Sequence, residues 1–267
     1  MDLGLNGKVA LILASSKGLG LACAKEFYKE GANVVICSRS KENLQQAKES
    51  IQKVKNGDSQ QKILDFQIDL VNENQIKSLI EVVIKEFGTI DILVHNAGGP
   101  PSAPISQISK QQWEESINLN LKSFINTSKA VIPIMQAQQS GRIIAITSVS
   151  IKQPLKNLVL SNTTRLGVLG FAKTLANEYA KDNILVNVVC PGPTLTDRMK
   201  ELIKAEMGET GKSEQYIIKK WIDNIPLGRL GHPEELANLV VFLASQKASY
   251  ITGTAIQVDG GFVKSPF

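Results

Sequence analysis

The chain has 267 residues, of which 43% are hydrophobic and 21% are charged, and its 20 glycines and 10 prolines are unremarkable for this length. This composition excludes disordered, collagen-like and low-complexity proteins, and it supplies enough apolar residues for a substantial core. The formal net charge is +5, but the basic residues are scattered and only 5% of residues are aromatic, so we expect no nucleic-acid interface.

Short β-branched segments alternate with longer amphipathic segments along the whole chain, without a linker or an internal repeat. The pattern predicts strands at residues 8–14, 33–37, 63–68, 90–94, 142–147, 185–190 and 255–258. It predicts helices at residues 18–30, 41–55, 73–87, 110–138, 158–181 and 233–244. Such alternation is typical of one α/β domain, here residues 1–267, built on a doubly wound, seven-stranded parallel sheet.

Two segments interrupt the alternation. Residues 99–109 contain three prolines and are expected to form a loop, and residues 193–226 form a polar insertion rich in Lys and Glu. Ligands of doubly wound sheets bind outside the carboxyl ends of the strands, where such connections gather. The insertion at 193–226 is therefore a candidate substrate lid.

Cysteine usage and hydropathy bear on the compartment. Cys23, Cys37 and Cys190 are far apart, lie beside apolar residues and form no cluster with metal-ligand spacing, so we expect reduced thiols, no metal site and a cytoplasmic protein. No segment approaches the roughly 18 uninterrupted apolar residues of a membrane span. The first apolar run, residues 9–14, is too short for a signal peptide, so we expect neither a membrane anchor nor a targeting segment.

A glycine-containing turn follows the first predicted strand. It reads Ala14-Ser15-Ser16-Lys17-Gly18-Leu19-Gly20 and leads into a helix rich in Ala and Lys. Glycines at such a turn allow close approach of a pyrophosphate, and the helix N-terminus offers free N–H groups and a partial positive charge. The turn indicates nucleotide binding, although a glycine turn without a ligand is the alternative.

This turn resembles the TGxxxGxG motif of the short-chain dehydrogenase/reductase superfamily, with Leu13 replacing Thr and Ala14 replacing the first Gly. Further segments resemble family motifs in the same order over nearly the whole chain. They are Asp69-Leu70 after the third strand, His95-Asn96-Ala97-Gly98 in place of NNAG, Asn120, Pro191-Gly192 with Thr194 and Thr196, and the C-terminal segment from Ile251 to Gly261. The resemblance implies a Rossmann fold and an oxidoreductase similar to 3-oxoacyl carrier-protein reductases and sugar dehydrogenases.

The resemblance also implies which residues contact the cofactor. They are Ala14, Ser16, Lys17, Gly18, Leu19, Gly20, Ser38, Arg39, Asp69, Leu70, Asn96, Ala97, Gly98, Arg165, Pro191, Gly192, Thr194 and Thr196. The second strand carries no carboxylate for a ribose 2′-OH, whereas Arg39, together with Lys17, favours a 2′-phosphate. We therefore expect NADP(H) to be preferred over NAD(H). The alternative is that both cations are solvated surface residues.

The expected catalytic residues depart from the family pattern, in which a Ser, a Tyr and a Lys four residues later act together. Ser148 holds the serine position, but Ser161 and Arg165 replace the Tyr and the Lys, so that SNTTR stands in place of YxxxK. The nearest tyrosine, Tyr179, lies more than four helical turns beyond Ser161. A serine is a much weaker acid than a phenol, and an arginine does not shuttle protons as a lysine does.

We therefore expect Ser148, Ser161, Arg165 and Asn120 to form a site with an atypical proton donor. Arg165 is suited to bind the ribose hydroxyls and to stabilise an oxyanion. The leading hypothesis is an NADP(H)-dependent oxidoreductase that acts on a small carbonyl or alcohol substrate. A nucleotide-binding protein without reductase activity and a lyase or isomerase are the alternatives. The resemblance implies a homotetramer or homodimer, and the helices at 110–138 and 158–181, which are rich in apolar residues on more than one face, agree with this expectation.

Overall fold

Seven parallel strands form one sheet in the computed structural model, which describes residues 2–54 and 61–266. The strands are β1 (Val9–Ile12), β2 (Asn33–Ser38), β3 (Ile63–Gln67), β4 (Ile92–His95), β5 (Gly141–Ile146), β6 (Ile184–Pro191) and β7 (Ala255–Val258). Their order is β3-β2-β1-β4-β5-β6-β7. Strands β1 to β3 are added toward one edge of the sheet, and strands β4 to β7 are added toward the other edge, so the strand order reverses between β1 and β4. The predicted doubly wound, seven-stranded parallel sheet of a Rossmann-type domain is confirmed.

Helices cover both faces of the sheet. In the described part of the chain they are α1 (Gly18–Lys29), α2 (Lys41–Gln52), α3 (Glu73–Phe87), α4 (Lys110–Ser116), α5 (Ser123–Ala137), α6 (Val159–Tyr179), α7 (Asp197–Thr210), α8 (Glu214–Ile222) and α9 (Pro233–Ala244). The core against α1, α2 and α9 contains Ala10 and Ile12, whereas the core against α3, α5 and α6 contains Val9 and Leu11. Because both faces are covered, most of the strand residues are apolar. The last residue predicted for the second helix, Lys55, lies outside the described residues.

The prediction of one regular helix over residues 110–138 is wrong in detail. A π-helical segment, Ile117–Lys122, separates α4 from α5. Within it, Asn120 Nδ2 donates to the Ser116 carbonyl oxygen at 3.3 Å, and Ser116 Oγ donates to the carbonyl of Gln112 at 2.7 Å. Side chains that occupy backbone carbonyls in this way compete with regular helical bonding. Hydrophobic periodicity does not register such a local change of pitch.

The polar insertion at residues 193–226 contains two helices, α7 and α8, that the sequence pattern does not predict. Each begins at a hydroxyl cap: Thr196 Oγ1 accepts from the Met199 N–H at 3.4 Å, and Ser213 Oγ accepts from the Tyr216 N–H at 3.3 Å. Few of their side chains are buried, and Ile217 is the buried one on α8. A helix with so small an apolar face gives little periodic signal.

The first strand ends two residues earlier than predicted, because the chain turns at Ala14, whose φ is +46°. A left-handed backbone costs an L-residue roughly 1–2 kcal/mol. We expect Ala14→Gly to raise the free energy of unfolding by about 0.5–1 kcal/mol, since the relief of strain is partly offset by the greater freedom of the unfolded chain. Urea denaturation measures this value. The control Ala24→Gly, inside α1, should lower stability, and destabilisation by both variants contradicts the prediction.

Candidate active site

A cavity of about 320 Å³ lies outside the carboxyl ends of β1, β4, β5 and β6, beside the point where the strand order reverses. Most of the site residues expected from the sequence line it. They are Ala14, Lys17, Gly18, Leu19, Asn96, Ala97, Gly98, Ser148, Ser161, Arg165, Pro191, Gly192, Thr194 and Thr196. The other expected residues, Ser16, Gly20, Ser38, Arg39, Asp69, Leu70 and Asn120, lie outside its lining.

The turn after β1 is rigidly held and leaves a helix N-terminus open. Ser15 Oγ donates to the Ile12 carbonyl at 2.7 Å and accepts from the Cys37 N–H at 3.0 Å, so the turn is tied to β2. Lys17 occupies the N-cap of α1 without a side-chain hydrogen bond to the helix. The first N–H groups of α1 are therefore available to an anion such as a pyrophosphate.

Packing at this turn requires a glycine at position 20. A Cβ there would lie 2.6 Å from the Ala14 carbonyl oxygen and 2.9 Å from Asn96 Nδ2. Asn96 Nδ2 itself donates to the Ala14 oxygen at 3.1 Å, which joins the turn after β4 to the turn after β1. Gly20 thus acts by allowing α1 to approach these two turns, although it does not face the cavity.

Two exposed cations lie beside the end of β2. Arg39 follows that strand directly, and Lys17 belongs to the neighbouring turn after β1. Within residues 2–54 and 61–266, neither side chain forms an ion pair. Ser38 Oγ donates to the Ser40 carbonyl at 3.1 Å, and no carboxylate ends the strand. This arrangement fits a phosphate better than a free ribose hydroxyl.

Two serine hydroxyls belong to the cavity wall. Ser148 Oγ accepts from the Ser150 N–H at 3.1 Å, which leaves the Ser148 hydroxyl proton free to donate. Ser161 is 6% exposed on the first turn of α6, and its hydroxyl has no partner in the described part of the chain. Both groups are therefore available to a polar ligand.

Arg165 is a buried cation held by backbone carbonyls. Its Nη1 donates to the Thr147 oxygen at 2.8 Å and to the Ile146 oxygen at 3.2 Å, and Nη2 donates to the Ala97 oxygen at 3.5 Å. Burial, and then the charge of the nearby Arg198, lower the pKa of Arg165 to about 10. The guanidinium remains charged at neutral pH, so the cavity contains a fixed positive charge.

Asn120 is buried behind the cavity, in the π-helical segment. Its Nδ2 donates to Ser116, whereas its Oδ1 has no partner among the described residues. His95 is also buried, and its Nε2 lies 3.0 Å from Ser123 Oγ. Because Ser123 donates its own hydroxyl proton to Leu119, the histidine nitrogen is the donor in this contact.

The environment of His95 predicts an acid-sensitive fold. Burial, and then the charge of Arg165, lower its pKa from the ordinary 6.5 to about 3. The folded state therefore keeps a neutral ring, whereas the unfolded chain binds a proton below about pH 6.5. The contribution of His95 to the free energy of unfolding is thus fully present above that pH and declines as the pH falls toward 3. His95→Asn should reduce this decline by up to about 1.4 kcal/mol per pH unit, measured by urea denaturation between pH 7 and 4. The exposed His232→Asn is the matched control, and equal slopes in the two variants contradict the prediction.

Several residues of the cavity wall escape prediction from the sequence. The largest contribution comes from the insertion, which supplies Asp197, Arg198, Met199, Leu202 and Trp221. The sequence gives one indication of these residues, because Asp197, Arg198 and Met199 directly follow the segment from Pro191 to Thr196. Trp221 donates from Nε1 to Glu206 Oε2 at 3.0 Å and stacks on Phe262.

Two structural features are absent from residues 2–54 and 61–266. No group of three or more His, Cys, Asp and Glu side chains is arranged to hold a metal ion. No described helix combines the length and apolar character required to cross a lipid bilayer.

Comparison with known proteins places these motifs in a family. Residues 13–263 match the family model described as enoyl-(acyl carrier protein) reductase. The chain is 37% identical over 259 residues to a 3-oxoacyl-(acyl-carrier-protein) reductase of Thermotoga maritima, covering 97% of this chain and 99% of that protein. It is 34% identical over 260 residues to a 3alpha-hydroxysteroid dehydrogenase of Mediterraneibacter gnavus, covering 97% and 98%.

A solved structure gives the same result. The L-sorbose reductase of Gluconobacter frateurii, complexed with NADPH and L-sorbose, superposes with a TM-score of 0.92 at 35% identity, covering 99% of this chain and all of that one. Sequence motifs, strand order and similarity over the full length therefore agree. The chain belongs to the short-chain dehydrogenase/reductase superfamily.

Proposed function

We propose that this protein is an NADP(H)-dependent oxidoreductase that transfers a hydride between the nicotinamide and a carbonyl or alcohol substrate, with an atypical proton-donor site. The observation that carries the proposal is the single cavity that combines an open helix N-terminus, two free hydroxyls and a fixed cation. The similar proteins are a reductase in Thermotoga maritima and a reductase with NADPH in Gluconobacter frateurii. Both support reductase chemistry, and the second supports NADPH as the cofactor.

The residues of the chain fit this cofactor. The α1 N-terminus at Lys17, Gly18 and Leu19 would hold the pyrophosphate, since it has no side-chain cap. Arg39 and Lys17 would bind the 2′-phosphate, because both are exposed and neither has a carboxylate partner in the described residues. The remaining contacts that we propose are Ala14, Ser16, Gly20, Ser38, Asp69, Leu70, Asn96, Ala97, Gly98, Arg165, Pro191, Gly192, Thr194 and Thr196. NADPH, when bound, supplies the hydride that adds to the carbonyl carbon.

The protein groups around the cavity act on the substrate oxygen. Hydride addition leaves negative charge on that oxygen, so hydrogen-bond donors placed there lower the barrier. Ser148 would donate its free hydroxyl proton, Ser161 would supply a second hydroxyl, and Arg165 would provide the compensating positive charge. We propose that Asn120 supports this group from the π-helical segment behind it.

The source of the proton distinguishes this site from the family pattern. Of the described residues that line the cavity, none is a histidine, cysteine or tyrosine. Nor can His95 serve as an acid at neutral pH, because its pKa is lowered to about 3. The proton would therefore come from water or from the substrate. The same observation favours the second candidate function, a nucleotide-binding protein with little or no reductase activity.

Calorimetry with NADPH, followed by absorbance at 340 nm with a panel of ketones, aldehydes and oxo acids, tests both candidates. We expect NADPH to bind and to be oxidised slowly by some of these carbonyl compounds. NADPH binding without oxidation by any of them would support the nucleotide-binding protein, or a lyase or isomerase. Absence of NADPH binding would overturn all three functions.

We also propose that residues 193–226 act as a lid on the single domain formed by residues 1–267. Its first helix, α7, contributes several residues to the cavity wall, and Arg198 at the start of that helix donates to the Pro100 carbonyl of the loop at residues 99–109. The loop and the insertion thus meet over the cavity. Limited proteolysis should cut the insertion more slowly when NADPH and substrate are present.

Assembly into a homotetramer or homodimer is proposed from the long helices. Leu166, on α6, is 52% exposed, so this helix presents an apolar side chain outside the core. We expect light scattering to return a multiple of the 29.0 kDa chain mass, and Leu166→Glu to reduce it. Val71→Glu, at an equally exposed apolar residue outside α5 and α6, is the control. A monomer mass for the unmodified protein at micromolar concentration would contradict the proposal.

A cytoplasmic location is proposed from the thiols. Cys23, Cys37 and Cys190 are all unpaired and buried, and burial raises the pKa of Cys37 to about 12. Such thiols are inert and suit a reducing compartment.

A further inference from the structure

Arg165 has hydrogen-bonding capacity that the protein does not use. A guanidinium carries five N–H groups, and three of them donate to the carbonyls of Ile146, Thr147 and Ala97. The Nε–H and the second Nη2–H have no acceptor within the part of the chain that the structure describes. The side chain is only 8% exposed, and it borders the cavity.

The charge of Arg165 is also uncompensated. No carboxylate of residues 2–54 or 61–266 lies within ion-pair distance of it. Apart from Lys17, which is assigned to the cofactor phosphate, the cavity wall contains two cations, Arg165 and Arg198, and one carboxylate, Asp197, so its formal charge is +1. Asp197 itself lies 3.1 Å from Lys200 and is 63% exposed, so it faces solvent more than the arginines.

Arg198 shares the cavity with Arg165 and strengthens the positive potential there. Its Nη1 lies 3.1 Å from the exposed Glu201, and its Nη2 donates to the Pro100 carbonyl. The proximity of Arg198 is one of the causes that lower the pKa of Arg165, so the two like charges interact. Burying an unpaired charge costs free energy of desolvation. A bound anion would offset this cost for Arg165 and would weaken its repulsion with Arg198.

We propose that the substrate is an oxo acid whose carboxylate pairs with Arg165 and Arg198 while its carbonyl oxygen accepts from Ser148. This inference rests on the proposed reductase function and names its substrate class. A guanidinium offers parallel N–H groups that match the two oxygens of a carboxylate. The ribose hydroxyls of a cofactor would accept hydrogen bonds from Arg165, but they are neutral and leave its charge unpaired.

The reaction then balances without another reagent. NADPH gives a hydride to the carbonyl carbon, the carbonyl oxygen takes one proton from water, and the products are a hydroxy acid and NADP⁺. The carboxylate is unchanged, so the ion pair with the arginines persists from substrate to product. The positive cavity also stabilises the negative charge that develops on the carbonyl oxygen.

Calorimetry with a carboxylate that cannot be reduced tests the anion site without relying on turnover. Malonate is titrated into the protein saturated with NADPH, and its neutral dimethyl ester is titrated in parallel. We expect malonate to bind at least 10-fold more tightly than the ester. A hydrogen bond to a charged group strengthens binding about 10- to 100-fold relative to a ligand that lacks it. Equal affinities for malonate and its ester would overturn the proposal.

A pair of variants on α7 assigns the binding to the cavity. Arg198→Gln removes one charge but keeps a donor for the Pro100 carbonyl, and we expect it to weaken malonate binding about 10-fold. Lys204→Gln removes the same charge from an exposed side chain of α7 that has no ion pair among the described residues and is not part of the cavity wall, and it should change the affinity less than twofold. Equal effects of the two variants would show that malonate binding depends on the overall surface charge and not on a site in the cavity, and would overturn the proposal.

Turnover separates this inference from the proposed function. Acetoacetate and its ethyl ester share the same ketone, and we expect kcat/KM for the acid to exceed that for the ester at least 10-fold. If NADPH binds and both compounds are reduced equally, the substrate class is wrong while the reductase function stands. If NADPH does not bind, the reductase function itself fails.

Discussion

The double variant Ser161→Tyr with Arg165→Lys is expected to raise the turnover of carbonyl reduction by about 10²- to 10⁴-fold, the usual contribution of general acid catalysis. The unmodified cavity offers hydroxyls and cations but, in its described lining, no histidine, cysteine or tyrosine. A phenol beside a lysine supplies a general acid. Absorbance at 340 nm with NADPH and a reducible oxo acid measures the rate.

The structure gives reasons to expect that the larger side chain fits. Ser161 borders a cavity of about 320 Å³, and its hydroxyl has no partner in the described residues, so the substitution breaks no side-chain hydrogen bond. A lysine ammonium has three N–H donors for the carbonyls that Arg165 now holds. Its charge keeps the electrostatic stabilisation of the oxyanion.

The control is Ser161→Phe with Arg165→Lys, which has nearly the same volume but lacks the phenolic proton. We expect this variant to remain at or below the unmodified rate. The tyrosine variant should also acquire a pH dependence on its basic limb that the phenylalanine variant lacks. Equal rates in the two double variants would show that proton donation is not what limits the enzyme.

The second large effect concerns the cofactor. Arg39→Asp is expected to reverse the preference from NADPH to NADH, with a change in the affinity ratio of about 10- to 100-fold. Each charge-assisted contact to a phosphate is worth about 1.5–3 kcal/mol when it is shielded, and Arg39 and Lys17 are exposed, so the lower part of this range applies. The introduced carboxylate also offers an acceptor to the ribose 2′-OH.

Calorimetry with both cofactors measures this ratio. Lys53→Asp, an exposed residue directly after the end of α2, changes the net charge equally and should leave the ratio unchanged. If the unmodified protein binds NADH as tightly as NADPH, then Arg39 and Lys17 are solvated surface cations and the proposed preference is wrong. If Lys53→Asp shifts the ratio as much as Arg39→Asp, the effect is one of net charge and not of contact.

The linear pattern of residues was sufficient for the architecture and for the turns that meet at the cavity. Apolar strands alternate with amphipathic helices, and this periodicity depends only on neighbouring residues, so the seven parallel strands follow from it. The turn from Ala14 to Gly20 lies at a strand end, and the carboxyl ends of parallel strands gather at one edge of the sheet. For the same reason the segments from Asn96 to Gly98 and from Pro191 to Thr196 line one cavity with that turn.

Tertiary structure alone decided the environment of each group. The partners of Arg165 are the carbonyls of Ala97, Ile146 and Thr147, which lie at the ends of β4 and β5. The residues next to Arg165 in the sequence therefore do not indicate its burial or its unused donors. Likewise, Arg198 reaches the cavity because α7 folds back over it. The π-helical turn at Asn120 depends on which carbonyls the side chains occupy. Hydrophobic periodicity specifies the face that a segment buries, whereas desolvation and charge pairing depend on residues distant in the chain.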